Sequence, residues 1–128
     1  MRFLLDTHSL LWFLAGDSNL SERVRRVIEN PEHDILASIA SLWEIAIKHS
    51  LGKLQLAHPF EELFPHHLAV NSIALLAIRL DHVTRIASLP FHHRDPFDRL
   101  LVAQALVEEI PILSGDDALD DYGVERIW

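Results

Sequence analysis

A chain of 128 residues with 49% hydrophobic content is long enough to bury a full core, and it reads as one domain over residues 1–128. It has no cysteine, which removes disulfide frames and thiolate metal sites, and no apolar run nears the ~20 residues of a membrane span. A formal charge of −8 does not suit a non-specific nucleic-acid binder held by clustered Lys and Arg, and the early break of the N-terminal apolar run at Asp6 rules out a signal peptide, so a cytoplasmic protein is expected.

Phe3-Leu4-Leu5 is a short apolar strand ending at Asp6-Thr7, after which Leu10, Leu11, Phe13 and Leu14 recur at helical spacing up to Gly16. Ser21 opens a polar helix over 22–30 that Pro31 stops, with Val24, Val27 and Ile28 inward and Arg23, Arg25 and Arg26 in solvent. Asp34-Ile35-Leu36-Ala37 reads as a second strand. Ser38 then caps an apolar helix over 39–51, closed by Gly52 at the C′ position, with Glu44 in its interior. The spacing predicts a helix over 59–68, a weak strand over 70–74, and one or two short helices over 75–89 ended by Pro90. In the next helix Asp95 fits the N-cap, Pro96 the first helical position and Asp98 the first turn, followed by a run from Phe97 to Leu106 that is apolar almost all round. Pro111-Ile112-Leu113-Ser114 is a fourth strand, Gly115-Asp116-Asp117 a turn and cap, and a short helix with Val124-Glu125-Arg126-Ile127 completes the chain. Short apolar strands alternating with helices predict an α/β fold whose parallel sheet is covered on both faces.

Ligands of such a sheet bind beyond the carboxyl ends of its strands. Asp6 follows the first strand, Asp116 follows the fourth, Asp98 starts the helix leading into the fourth, and Glu44 lies on the helix after the second. Taken singly, Asp6, Asp95 and Asp116 are also explained as helix caps, and for Asp95 capping is the preferred reading. Glu44 is the most telling, an interior acid among Trp43, Ile45 and Ile47. Gathered carboxylates repel and raise one another's pKa, a conflict that a divalent cation relieves. Oxygen ligands without thiolates point to Mg²⁺ or Mn²⁺.

Four segments carry a family likeness: Leu4-Leu5-Asp6-Thr7-His8 with Leu11-Trp12, Ser41 to Lys48, Arg94 to Leu101, and Ser114-Gly115-Asp116 with Tyr122-Gly123-Val124. Their order and spacing resemble a PIN-domain protein of the VapC toxin type, over nearly the whole chain. The resemblance implies a three-layer α/β/α sandwich with a central parallel sheet of about four to five strands, and a Mg²⁺-dependent ribonuclease that acts as the toxin of a toxin-antitoxin pair. It implies an acidic site of Asp6, Glu44, Asp98 and Asp116, with Asp6 and Asp98 holding the main metal and Glu44 and Asp116 completing it. Ser114 stands where the family often has threonine, and its hydroxyl, with Thr7 and Arg99, is a candidate for substrate binding or support of the site. A homodimer and a short antitoxin peptide laid across apolar helices are implied as partners, with RNA as substrate. Trp43 and Ile47 are candidates for the edge of that peptide groove, although core packing is the preferred role for both.

Lys48, Lys53, Arg94 and Arg99 are candidate RNA guides, for which solvated surface charge is the preferred reading. The nine histidines show no metal-ligand spacing; His92 and His93 lie near Asp95 but read as exposed loop residues. Two rivals fit the same size and layers. A receiver-like signalling domain needs paired acids after the first strand and a lysine near the last, whereas lysine occurs only at Lys48 and Lys53. A catalytically silent binding module of the same fold has no need of the complete acid set.

Overall fold

The computed structural model describes residues 1–128. Its first half is β1 (Arg2–Leu5), α1 (Thr7–Ala15), α2 (Glu22–Glu29), β2 (Asp34–Ser38) and α3 (Ile39–Ser50). The second half contains α4 (Phe60–Glu62), a π turn (Leu63–His67), α5 (Leu68–Val70), β3 (Ile73–Leu76), α6 (Leu80–Ser88) and α7 (Pro96–Glu108). Strand β4 (Ile112–Leu113), a 3₁₀ turn (Asp117–Tyr122) and β5 (Arg126–Ile127) end it.

All strand pairs are parallel, in the order β3-β2-β1-β4-β5, with Leu5 opposite both Ala37 and Leu113. The two-residue period of a strand then divides its side chains between two cores. Phe3, Leu5, Ile35, Ala37 and Leu113 meet Leu10, Val24, Ile45 and Leu63 on one face, while Leu4, Leu36 and Ile112 meet Leu101, Val102 and Ala105 on the other. This is the expected α/β/α sandwich, with five strands. The order differs from the 2-1-3-4-5 of receiver-like domains, which sets that rival aside. The strands are added outward in opposite directions from β1 and from β4, so a crevice opens at this switch point beyond their carboxyl ends, where Asp6 and Asp116 stand.

Three boundaries differ from expectation. The third strand lies at Ile73–Leu76 rather than over 70–74, because pairing of Ile73 with Ile35 and Leu76 with Ser38 sets its register. Leu75 and Leu76 therefore belong to the sheet, and the helix expected from residue 75 begins at Leu80. The helix expected over 59–68 is broken at Phe64, whose φ of −127° and ψ of 112° are extended, as suits the residue before Pro65.

Candidate functional site

At the end of β1, the Asp6 carboxylate accepts the Ser9 N–H at 2.8 Å through Oδ1, and so caps α1 while remaining at the crevice. Thr7, also buried, donates from Oγ1 to the Ser41 hydroxyl at 3.0 Å, tying the start of α1 to α3. Past β4, the buried Ser114 hydroxyl accepts the Asp116 N–H at 3.0 Å, and Asp116 Oδ1 accepts from the Ala118 N–H at 3.1 Å. Thr7 and Ser114 thus shape the backbone that presents the acids.

Glu44 is buried on α3, as are Ala40, Ser41 and Ile45 of the same helix. Its Oε2 accepts from Lys48 Nζ at 2.7 Å, one turn on, while Oε1 is buried with no partner at all. An orphaned buried carboxylate oxygen is costly unless a cation or proton meets it. Lys48 has its own pKa raised, first by the hydrogen bond to Glu44, with burial opposing, and then by the charges of Glu44, Asp95 and Asp98.

Asp95 caps α7 as expected, accepting the Phe97 and Asp98 N–H groups at 2.8 and 3.1 Å. The cap directs Asp98 into the crevice. Burial pushes the Asp98 carboxyl up to about 6, the negative charges of Asp95, Glu44 and Asp6 push it the same way, and His93 opposes them. Asp98 therefore lies within reach of the charges of Asp6 and Glu44. His93 Nε2 lies 3.3 Å from Asp116 Oδ2 and 3.5 Å from Asp98 Oδ2, which joins Asp116 to the group.

His93 is held through its backbone and both ring nitrogens. Its backbone N–H donates to the Tyr122 hydroxyl at 2.8 Å, and its Nδ1 accepts the Asp95 N–H at 3.2 Å. With Nδ1 acting as acceptor, the neutral ring carries its proton on Nε2 and donates toward the two carboxylates. His93, Asp98 and Asp116 lie within 4.8 Å of one another through potential ligand atoms, yet in this tautomer only the two acids offer lone pairs.

Asp6, Glu44 and Asp98 form an oxygen-only set with one neutralising lysine, and the orphan Oε1 of Glu44 lacks a positive partner. Such donor chemistry suits a hard divalent cation, while the potential ligand atoms gathered within 4.8 Å are those of Asp98, Asp116 and His93.

Arg99 does not join them. It is buried, donates to the Pro90 carbonyl at 2.9 Å and to the Tyr122 hydroxyl at 3.4 Å, and lies over the Phe91 ring at 4.3 Å, so the surface-charge reading does not hold for it, while its reach to Tyr122 is a link to the residue that anchors His93. Trp43 is 56% exposed, contrary to a core role, with Phe97 packed edge-on at 5.1 Å. His93 is the residue sequence reasoning undervalued. Its only signal is a place two residues before the α7 cap, and its partner Tyr122 is remote in the chain.

A sequence profile of the PIN domain matches residues 3–125. No curated protein matches the chain. Among solved structures, a chain of VapBC2 from Rickettsia felis, crystallised bound to a DNA fragment from its promoter, superposes with a TM-score of 0.75 at 10% identity, over 99% of this chain and 98% of that one. A chain of FitAcB from Neisseria gonorrhoeae gives 0.67 at 16% identity, over 98% and 96%. One of VapBC-1 from nontypeable Haemophilus influenzae gives 0.67 at 14%, over 99% and 97%. At such identities the likeness is one of fold.

Proposed function

Since this chain belongs to the PIN-domain family, matched over residues 3–125, we propose that it is a divalent-metal-dependent endoribonuclease and the cytoplasmic toxin of a toxin-antitoxin pair. The observation that carries the reading is the buried, unpartnered Oε1 of Glu44 beside an Asp98 whose carboxyl is pushed up to about 6. A buried carboxylate oxygen left without a partner adds nothing to stability, and near a second acid whose pKa is raised it marks a place built for something positive. The fold's likeness to VapBC toxin-antitoxin structures supports an antitoxin partner.

In this reading Asp6 and Asp98 hold Mg²⁺ or Mn²⁺, and Glu44 completes the oxygen set. The ion, when bound, would supply charge neutralisation at the phosphoryl oxygens and acidify a water. Lys48 holds Glu44 Oε2, which leaves the unpartnered Oε1 as the oxygen that would meet the ion. Asp116, anchored through Ser114 and Ala118, lines the substrate side, and His93 keeps it beside Asp98. Hydrolysis then forms one bond from water oxygen to phosphorus and breaks one to a ribose oxygen. An unpaired strand suits a recessed site better than a duplex does.

The test is cleavage of a structured RNA panel by purified protein in Mg²⁺, Mn²⁺ or EDTA, beside the Asp98→Asn variant. Cutting in either metal, lost in EDTA and in the variant, is expected. Cutting that survives in Asp98→Asn, with contaminating nuclease excluded, overturns the assignment. The homodimer belongs to the same reading, and a monomer at micromolar concentration by light scattering excludes it.

A further inference from the structure

Beside the acids a cleft of about 330 Å³ has walls that the hydrolytic chemistry leaves unused. Asp6 and Asp116 form one side; His8, Trp12, Gly115 and Trp128 form the rest. The rings are arrayed. His8 and Trp12 stack at 5.5 Å with planes 22° apart, and Trp12 meets Trp128 at 5.9 Å and 55°. His8 and Trp12 belong to α1, whose start is pinned by the Asp6 cap and by the bond from Thr7 to Ser41, so the rings and the acid share one rigid support.

Gly115 supplies an independent sign that this wall is built. A Cβ placed there would meet the Trp128 indole at 3.0, 3.1 and 3.3 Å, tighter than ordinary van der Waals contact. Glycine at 115 therefore lets the indole lie against the backbone between Ser114 and Asp116, beside the acid that β4 presents. The chain keeps Trp128 close to the site at the expense of any side chain at 115.

An acid-walled, ring-lined cleft repels phosphate, while a neutral planar group gains stacking from it. A scissile phosphodiester seated at Asp6 and Asp98 has such a group attached on either side, the nucleobase. We propose that this cleft is a base-binding subsite, in which the unpaired nucleobase next to the scissile phosphate stacks on Trp12 and Trp128. The proposal rests on the ribonuclease reading above. It adds a reason for single-strand preference, because a base stacked inside a duplex has no face free for an indole. His8 stacks on Trp12, so the base takes the part of the indole that lines the cleft together with Trp128.

The experiment has two arms. In the first, wild type, Trp12→Ala and Trp12→Phe are compared on an RNA that wild type cuts, intact and with one abasic position moved along the strand. Trp12→Ala is expected to raise KM about ten-fold with kcat changed far less, Trp12→Phe to recover most of the loss, and one abasic position beside the cut to raise wild-type KM as much. That same abasic substrate adds little to Trp12→Ala, since both remove one contact. Wild-type cutting with KM unmoved by Trp12→Ala and by every abasic position overturns the subsite and leaves the nuclease reading standing.

The second arm needs no cleavage. In an Asp98→Asn, Trp43→Phe protein the remaining indoles are Trp12 and Trp128, and a single-stranded RNA hexamer is expected to quench their emission saturably, a fully abasic hexamer far less. If wild type cuts no RNA, this arm still decides the subsite. Equal quenching by the abasic strand overturns it. Quenching by an arginine tripeptide but not by RNA overturns it as well, assigning the cleft to a protein cation.

Discussion

Asp98 is the carboxyl that burial pushes furthest above its ordinary value. Its folded pKa, about 6, exceeds the ordinary carboxylate value of 3.8, so the folded state binds a proton more readily than the unfolded state. The sign follows: without added metal, the contribution of Asp98 is fully favourable below pH 4 and is lost as pH rises through 6. A shift of this size corresponds to on the order of 2–3 kcal/mol. Asp98→Asn is accordingly expected to stabilise the metal-free protein at pH 7 and to have little effect near pH 4, as read from urea midpoints at the two pH values. A destabilised variant at pH 7 would show that the carboxylate is favourably paired instead. The acids were legible in the sequence because each has a local oddity, an acid at the end of an apolar strand or inside an apolar helix. His93 and Arg99 were not, because the partners that define them, Tyr122 and the Pro90 carbonyl, are supplied by packing.

At the scale of elements, the start of α7 decides where Asp98 points. Asp95 satisfies two of the helix's free N–H groups, and Pro96 follows at a position where its missing donor costs nothing. Asp95→Ala is expected to cost about 1–2 kcal/mol and, by fraying the first turn, to lower RNA cleavage as well. A variant that loses stability but keeps full activity would separate the cap from the site. The other side of α7 is fastened to α6. His82, fully buried, accepts the Arg79 N–H at 3.0 Å through Nδ1 and donates from Nε2 to Glu108 Oε2 at 3.2 Å. The hydrogen bond from Arg79 is the main reason the Glu108 carboxyl is held down to about 2, with His82 and Arg2 assisting and burial opposing. A lowered pKa contributes stability above the ordinary value of 4.5 that is lost as pH falls toward 2. The stability gap between wild type and Glu108→Gln should therefore be widest at neutral pH and close toward pH 2; a constant gap over that range would show that the carboxylate's charge is irrelevant. The α3 and α7 boundaries were readable from their caps, whereas the break at Phe64 needed the extended geometry before Pro65 to be recognised as decisive.

The whole molecule places its acids at the one edge where a doubly covered parallel sheet leaves an opening. A cation that binds only the folded state stabilises by mass action, about 2.7 kcal/mol at a hundred times its dissociation constant. Saturating Mn²⁺ is thus expected to raise the melting temperature by several degrees, EDTA to reverse the rise, and Glu44→Gln to reduce it strongly while leaving the metal-free protein as stable or more so. An equal rise in the variant would remove Glu44 from the metal's ligands. No helix is long and apolar enough to cross a membrane.

Period, caps and breakers were enough to determine the α/β class, three of the five strands to within a residue or two, and the residues worth suspecting, because these depend on contacts made within a few positions along the chain. The position of β3, the order of the strands, and the gathering of Glu44, Asp98, Asp116 and His93 were decided only by the tertiary structure. Each depends on a partner far along the chain: Ile35 for Ile73, Ser41 for Thr7, Tyr122 for His93. The cleft of Trp12, Gly115 and Trp128 is of the same kind, since the space a glycine leaves has meaning only once the ring that fills it is in place.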